Sequence, residues 1–415
     1  MSPTARAAAL LGVIALSALL VPATISALAA LALAGAFAAD ALIARRPVRF
    51  SRRAPELLSR GVPEPIELRA DVGPGTAVAV RQAGAADLVV SPSQGRSPLE
   101  AELVATRRGR HSLPAAAARL EGPLGLAASY RNSGEEHEVR VFPDLPAARR
   151  VALVARRSRF RDPGLRGRGP IGLGTEFESV REYSPDDDIR QVNWLATARL
   201  ERPMSNEFRL EQDRDVIALV DAGRLMAAPI EGRTRLDAAL DALAALAAVT
   251  DEIGDRFGAV GFDAEIRDVA RPRRNGGSLA VNRLFDLEPA PTDSDYARAF
   301  QRVEGSKRAF VIVFTDLLDE AAAAALTEAV PVLARRHAVA VASAADPDLD
   351  AAVTRPPRAE LDVYRAAVAL RVLAARRRTA VLLRRSGADL IEAPAGSLGA
   401  ACVKAYLRAK ARARL

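Results

Sequence analysis

Between Ala7 and Ala44 the chain carries a single charge, Asp40, in an otherwise apolar run of alanine, leucine, isoleucine and valine. No other feature restricts the possible folds as strongly. Wound as one helix, the run would measure about 57 Å at 1.5 Å per residue, about twice a ~30 Å hydrocarbon core. Two spans turning near Pro22 fit that thickness, which predicts a transmembrane helical hairpin over residues 1–46. A secretory signal is the competing reading, because "SALA" and "AFAAD" resemble small-residue cleavage sites. The apolar region of such a signal is only about 7 to 15 residues long, so the hairpin accounts for more of the run. Arg6 precedes it, while Arg45, Arg46, Arg49, Arg52 and Arg53 follow. Positive charge at both ends places both termini and the soluble domains in the cytoplasm, beneath the cell membrane.

At 415 residues the chain exceeds one ordinary core, and two further domains are expected. Aromatics make up only 4%, so those cores are built from Ala, Val and Leu. The net charge is +8, and all but three of the 59 basic residues are arginine, a skew that reads as coding bias. The one cysteine, Cys402, excludes an intramolecular disulfide and a cysteine-based zinc site. No GxxxxGK[ST] loop is present, which removes P-loop nucleotide hydrolysis from the possible functions.

Residues 47–148 read as a small all-β sandwich. In "PEPIELRADV" the residues Ile66, Leu68, Ala70 and Val72 alternate with charged ones, the period of a half-buried strand. Similar short runs recur between Gly and Pro punctuation. His111 and His137 fall in separate strands and read as ordinary edge histidines rather than a ligand pair. Residues 149–210 form a basic linker and a signature segment. Eight arginines and one acid lie between Arg149 and Arg168, the composition of an exposed connector beside an anionic membrane surface. Nucleic acid is not an expected partner, because only Phe160 offers a stacking surface there.

From 211 to 415 apolar strands alternate with helical periods. "DVIALVD" and "RAFVIVFTD" are continuous apolar runs, each closing on an acid, Asp221 and Asp316. Thr234 and Asp237 have capping-box spacing ahead of "LDAALDALAALAAV". Pro331 should kink or divide the helix at "EAAAAALTEAVPVLARR". The fold class is α/β plus all-β, the last domain being a doubly wound parallel sheet.

The segment "GLGTEFESVREYSPDDDIRQVNWLATARLERP", residues 172–203, is the densest in charge. Its Phe177, Arg181, Glu182, Tyr183, Asp187, Arg190, Trp194, Ala198 and Arg199 stand where the bacterial domain-of-unknown-function 58 family has its signature. With the apolar hairpin, the β domain and the α/β domain in this order, the chain resembles that family over nearly its full length. The resemblance implies a von Willebrand factor A-like domain and a gene of the kind often encoded beside MoxR-type AAA+ ATPases, which makes such an ATPase the expected partner. It implies no known reaction.

Read from its residues, "SPDDD" has the form of a helix start, with Ser184 capping and Pro185 in the first turn. Arginines among these acids suit bidentate pairs that would clasp the β and α/β domains together, with Trp194 buried. A surface for docking a partner is the second reading. A catalytic carboxylate pair is the third, and no histidine, cysteine or activated serine accompanies the acids to support it.

The A-like resemblance also implies a magnesium site from a DxSxS loop, a later threonine and a final aspartate. Asp221 and Asp316 remain, and Thr292, Asp293 or Ser294 could supply the third group, Ser294 being the candidate of choice. Gly223 and Leu225 stand where serines would be, so the site is degenerate and no cofactor is expected. The leading function is a membrane-anchored cytoplasmic adaptor or scaffold acting through protein–protein contacts. A metal-dependent, hydrolase-like enzyme using Asp221 and Asp316 is the alternative.

Overall fold

The computed structural model describes residues 2–73, 76–161, 171–184, 187, 189–209, 214–304, 307–317 and 320–411. The chain divides into two compact units, Met1–Val141 and Phe142–Leu415.

The first unit begins with two apolar helices, α1 (Ala5–Ser17) and α2 (Ala23–Ala44). Only α2 is long and apolar enough to cross a membrane among the described residues; α1 has 13 residues. Both are fastened to one strip of the β domain. Ser2 and Pro3 pair with Ala128 and Ala127, and the Thr4 hydroxyl donates to the Gly125 carbonyl at 2.6 Å. At the far end of α2 the buried Asp40 carboxylate accepts the backbone N–H groups of Leu124 (2.8 Å), Leu126 (2.7 Å) and Ala127 (2.9 Å). The lone charge of the apolar run is therefore a fastener, satisfying three donors that would otherwise be stranded away from water.

The β domain is antiparallel throughout its described pairs. A four-stranded sheet runs in the order Arg49–Arg53, Glu64–Asp71, Leu99–Ala105, Leu88–Ser91. A five-stranded and a three-stranded sheet complete it. Ile66, Leu68 and Ala70 point into the shared core with Val80, Leu103, Leu113 and Val139, as the alternation predicts. His137 and His111 sit on neighbouring strands, where Val139 is the residue opposite His111.

The second unit holds a six-stranded sheet. Its strands and those of a preceding hairpin are numbered β1 (Ile171–Glu182), β2 (Met204–Arg209), β3 (Asp215–Asp221), β4 (Arg256–Phe262), β5 (Ile266–Arg274), β6 (Ala309–Phe314), β7 (Ala338–Ala345) and β8 (Ala388–Pro394). The helices are α3 (Leu145–Arg161), α4 (Trp194–Leu200), α5 (Arg235–Ile253), α6 (Gly277–Leu284), α7 (Tyr296–Glu304), α8 (Glu320–Ala334), α9 (Pro347–Thr354), α10 (Glu360–Arg385) and α11 (Leu398–Ala411). The sheet order is β5-β4-β3-β6-β7-β8. All neighbours are parallel except β4 and β5. One core joins α3, α5, α6 and α11 to one face, and a second joins α7, α8 and α10 to the other. Strand β3 is buried at every residue because helices cover both its faces.

The sequence reading needs correction in four places. The polar stretch after β4 is an antiparallel edge strand, β5, so the sheet is mixed. The basic connector is helical from Leu145 to Arg161: Asp144 accepts the Ala147 N–H at 2.9 Å as a cap, and Leu145, Val151, Ala152 and Ala155 pack on the sheet's helices. The rest of that connector, 162–170, lies outside the described residues. Pro331 neither ends nor divides α8, which runs through it from Glu320 to Ala334. The helix expected from Ser184 begins ten residues later, at Trp194. Elsewhere the local signals hold, as in α5, where Thr234 and Asp237 form the capping box and Gly254 closes the helix at φ 87°.

Candidate functional site

In the order β5-β4-β3-β6-β7-β8 the chain reverses its direction of travel between β3 and β6. Open α/β sheets bind ligands at the carboxyl ends of strands beside such a reversal. Asp221 ends β3, and Thr315 and Asp316 follow β6 directly.

The Asp221 carboxylate is buried and ringed by donors. Oδ1 accepts the Gly223 N–H at 2.7 Å and the Ser294 hydroxyl. Oδ2 accepts the hydroxyls of Tyr296 at 2.9 Å and Thr315 at 2.6 Å. Burial, reinforced by the neighbouring Asp221 charge, pushes the Tyr296 phenol well above its ordinary range, so it stays a donor. The loop carrying Ser294 is zipped to the loop after β3 by Arg224 N–H to Thr292 carbonyl (2.9 Å) and Ala290 N–H to Ala222 carbonyl (2.7 Å). A Cβ on Gly223 would fall on the Ser294 hydroxyl. Ser294 thus fills, from a different loop, the space a serine at 223 would need.

Asp316 is held by charge instead. Its carboxylate meets Arg235 through Nη1 and Nε, both at 3.2 Å, and Arg376 through Nη2 at 2.7 Å. The Leu317 N–H (2.9 Å) and the Ser343 hydroxyl (3.2 Å) add to these. Arg235 reaches on to Asp346 at 3.0 Å. All three central side chains are nearly excluded from water. Burial lowers the Arg235 guanidinium from its ordinary value, while the Asp316 charge opposes this.

Of the proposed metal set, Asp221 and Ser294 are therefore in contact, whereas Asp316 is occupied by two guanidinium groups. A magnesium ion, which requires near-octahedral oxygen ligation, fits this arrangement poorly: one carboxylate is already neutralised and Gly223 and Leu225 bring no side-chain oxygen. Among the described residues no group of three or more His, Cys, Asp or Glu could hold a metal ion.

The signature forms a second constellation. Strands β1 and β2 make an antiparallel hairpin, with Arg181 opposite Ser205 and Glu182 opposite Met204. Arg181 grips the buried Asp187 with two nitrogens, at 2.8 and 2.5 Å. Asp187 also accepts the Ser184 N–H at 2.8 Å, and Tyr183 donates to the Asp187 carbonyl at 3.3 Å. The Arg181 hydrogen bonds, foremost, hold the Asp187 carboxyl below its ordinary value against the opposing effect of burial. Asn193 caps α4 through the Ala196 N–H (2.9 Å) and donates to Asn206 Oδ1 (2.7 Å). Glu182 and Arg202 approach to 3.9 Å at the surface, and Arg199 is exposed in the last turn of α4. The side chains of Phe177 and Arg190 lie outside the described residues.

This frame presents apolar groups outward. Ile189 is 71% exposed, Trp194 70% and Leu195 70%, and Leu200 is also exposed. The expectation of a buried Trp194 is overturned. With Asn193 as cap, α4 begins at Trp194 itself and none of its residues is buried.

Comparison with known families reaches the same part of the chain. Residues 179–373 match DUF58, described as a protein family of unknown function. The DUF58 match opens within the signature hairpin and extends through β3, the Asp221 and Asp316 sites and the first half of α10. No curated protein matches the chain.

Proposed function

We propose that this protein is a membrane-anchored adaptor or scaffold that engages another protein through the signature turn, with a MoxR-type AAA+ ATPase as the partner. The observation carrying this reading is the display of Ile189, Trp194 and Leu195 on a turn pinned by the Arg181–Asp187 pair. Tryptophan anchors on preorganised surfaces dominate many protein interfaces, because little ordering is left to offset when they bind. The ATPase is inferred from the family resemblance, and the chain's lack of a P-loop makes an external source of nucleotide hydrolysis useful. The sheet order and the antiparallel β5 support a von Willebrand factor A-like reading of the second unit. A two-pass anchor with cytoplasmic domains is supported by the attachment of the start of α1 and the end of α2 to the same strip, residues 122–128, and by the arginines flanking the run. A metal-dependent hydrolase using Asp221 and Asp316 is less well supported, because the arginine partners of Asp316 compete with a cation and the donors around Asp221 leave it no free oxygen.

The test is capture of a purified MoxR-type ATPase from the same genome by the full chain in detergent. Trp194→Ala and Leu195→Ala should each abolish capture while leaving the melting temperature unchanged. Capture undiminished by both substitutions would reject the signature as the docking surface.

A further inference from the structure

Helix α10 has 26 residues, and its two sides are treated differently. Ala369, Arg376, Ala380 and Leu383 are buried against the unit, with Arg376 fixed on Asp316. On the opposite side Val363, Ala367, Leu370, Ala374, Arg377 and Val381 are all exposed. Their steps of 4, 3, 4, 3 and 4 residues are those of a coiled-coil seam, a pattern that a helix packed only on its other side does not need. Val363 is 55% and Leu370 54% exposed, and Tyr364 and Val368 beside them are exposed too. Continuous apolar surface of this kind marks an interaction site.

The composition of the seam selects the occupant. Large and small residues alternate along it, Val363, Ala367, Leu370, Ala374, and the next seam position before Val363 is Glu360. Two copies laid parallel would stack Ala on Ala, leaving gaps, and Arg377 on Arg377. Laid antiparallel about a twofold axis between Val368 and Ala369, the layers from Glu360 to Arg377 are complementary: Val363 faces Ala374, Leu370 faces Ala367, and Glu360 faces Arg377, while Val381 lies beyond the paired stretch. Because the axis relates the copies, each pairing occurs twice, the property of a self-complementary twofold interface. We infer that this stripe of α10 is the contact through which a second copy of the chain docks, forming an antiparallel helix pair. The inference is independent of the signature surface, which lies on α4.

The test uses the full chain in detergent, with its mass measured by light scattering and its self-association by sedimentation. The parent should be a dimer. Leu370→Glu, at an exposed position, should yield folded monomer. Glu360→Arg alone or Arg377→Glu alone should weaken association on the order of tenfold by setting like charges face to face. The two together should restore it, a rescue that neither general destabilisation nor association through α2 would produce. A monomeric parent, an unaffected Leu370→Glu variant, or failure of the double charge swap to restore association would each overturn the proposal.

Discussion

The second unit holds two dense clusters of arginine and aspartate, and they are put to opposite uses. At the strand ends Asp316, Arg235 and Arg376 face one another in a water-excluded interior, where every charge is answered within the chain. In the signature turn the Arg181–Asp187 pair is peripheral, and what it stabilises is the outward presentation of Ile189, Trp194 and Leu195. The closed cluster contributes to folding; the open frame holds apolar side chains out in water. Charge density along a sequence does not separate the two, whereas the exposure of the surrounding apolar side chains does.

The largest expected effect falls on the closed cluster. Asp316→Ala takes the buried carboxylate from Arg376 and leaves Arg235 only Asp346 and the Ala344 carbonyl, and breaking such a buried pair costs about 3 to 5 kcal/mol. Denaturant unfolding of the full chain should show that loss. A change below about 1 kcal/mol would mean that the arginines find other acceptors and that the cluster is not closed. Next comes Gly223→Ser, a direct trial of the serine loop. Its Cβ would collide with the Ser294 hydroxyl, and overpacking of this kind costs about 1 to 3 kcal/mol. Magnesium should not recover the loss, as thermal melts with the ion and with chelator will show. Recovery by magnesium would mean that the loop rearranges into a cation site.

The signature frame responds to pH. The folded-state value of Asp187 is depressed, so its contribution is complete above the ordinary carboxylate range and disappears as pH falls through the lower folded value. Acid titration of stability should show this limb in the parent, and Asp187→Asn should flatten it. An identical acid limb in the variant would show that the Arg181 pair does not hold the turn.

Much of this arrangement is written locally. The capping box at Thr234, the apolar runs of β3 and β6 and the alternation around Ile66 follow from periods and caps that operate over a few residues. Asp221 and Asp316 at strand ends were legible for the same reason. Of their partners only Ser294 was named, through the family resemblance; Arg235 and Arg376 were not, because they reach Asp316 from distant elements and nothing local distinguishes them from other arginines. Asp40 read as a blemish in an apolar run, since its three partners lie 84 to 87 residues further on. The helix α3 could have been found: Asp144 followed by Pro146 is a start signal, overshadowed by the arginines after it. Trp194 was misjudged because the signature's paired charges were read as a clasp between domains, which would bury it. Only the late start of α4, set by the Asn193 cap, turns it outward.

The smallest expected change in stability sharpens the contrast most. Trp194→Ala should alter unfolding by no more than about 0.5 kcal/mol, the usual limit for exposed positions, where a buried tryptophan would cost about 3 to 5. Because Trp194 is the chain's only tryptophan, its fluorescence reports on this turn alone. In the parent, emission should lie near that of tryptophan in water and be readily quenched by a small soluble quencher. Binding of a partner to the turn should move emission to shorter wavelength and protect it, while leaving the buried Asp316 cluster untouched. A tryptophan already blue-shifted and shielded in the isolated protein would place the signature among the closed clusters, and the distinction between the two regions would fail.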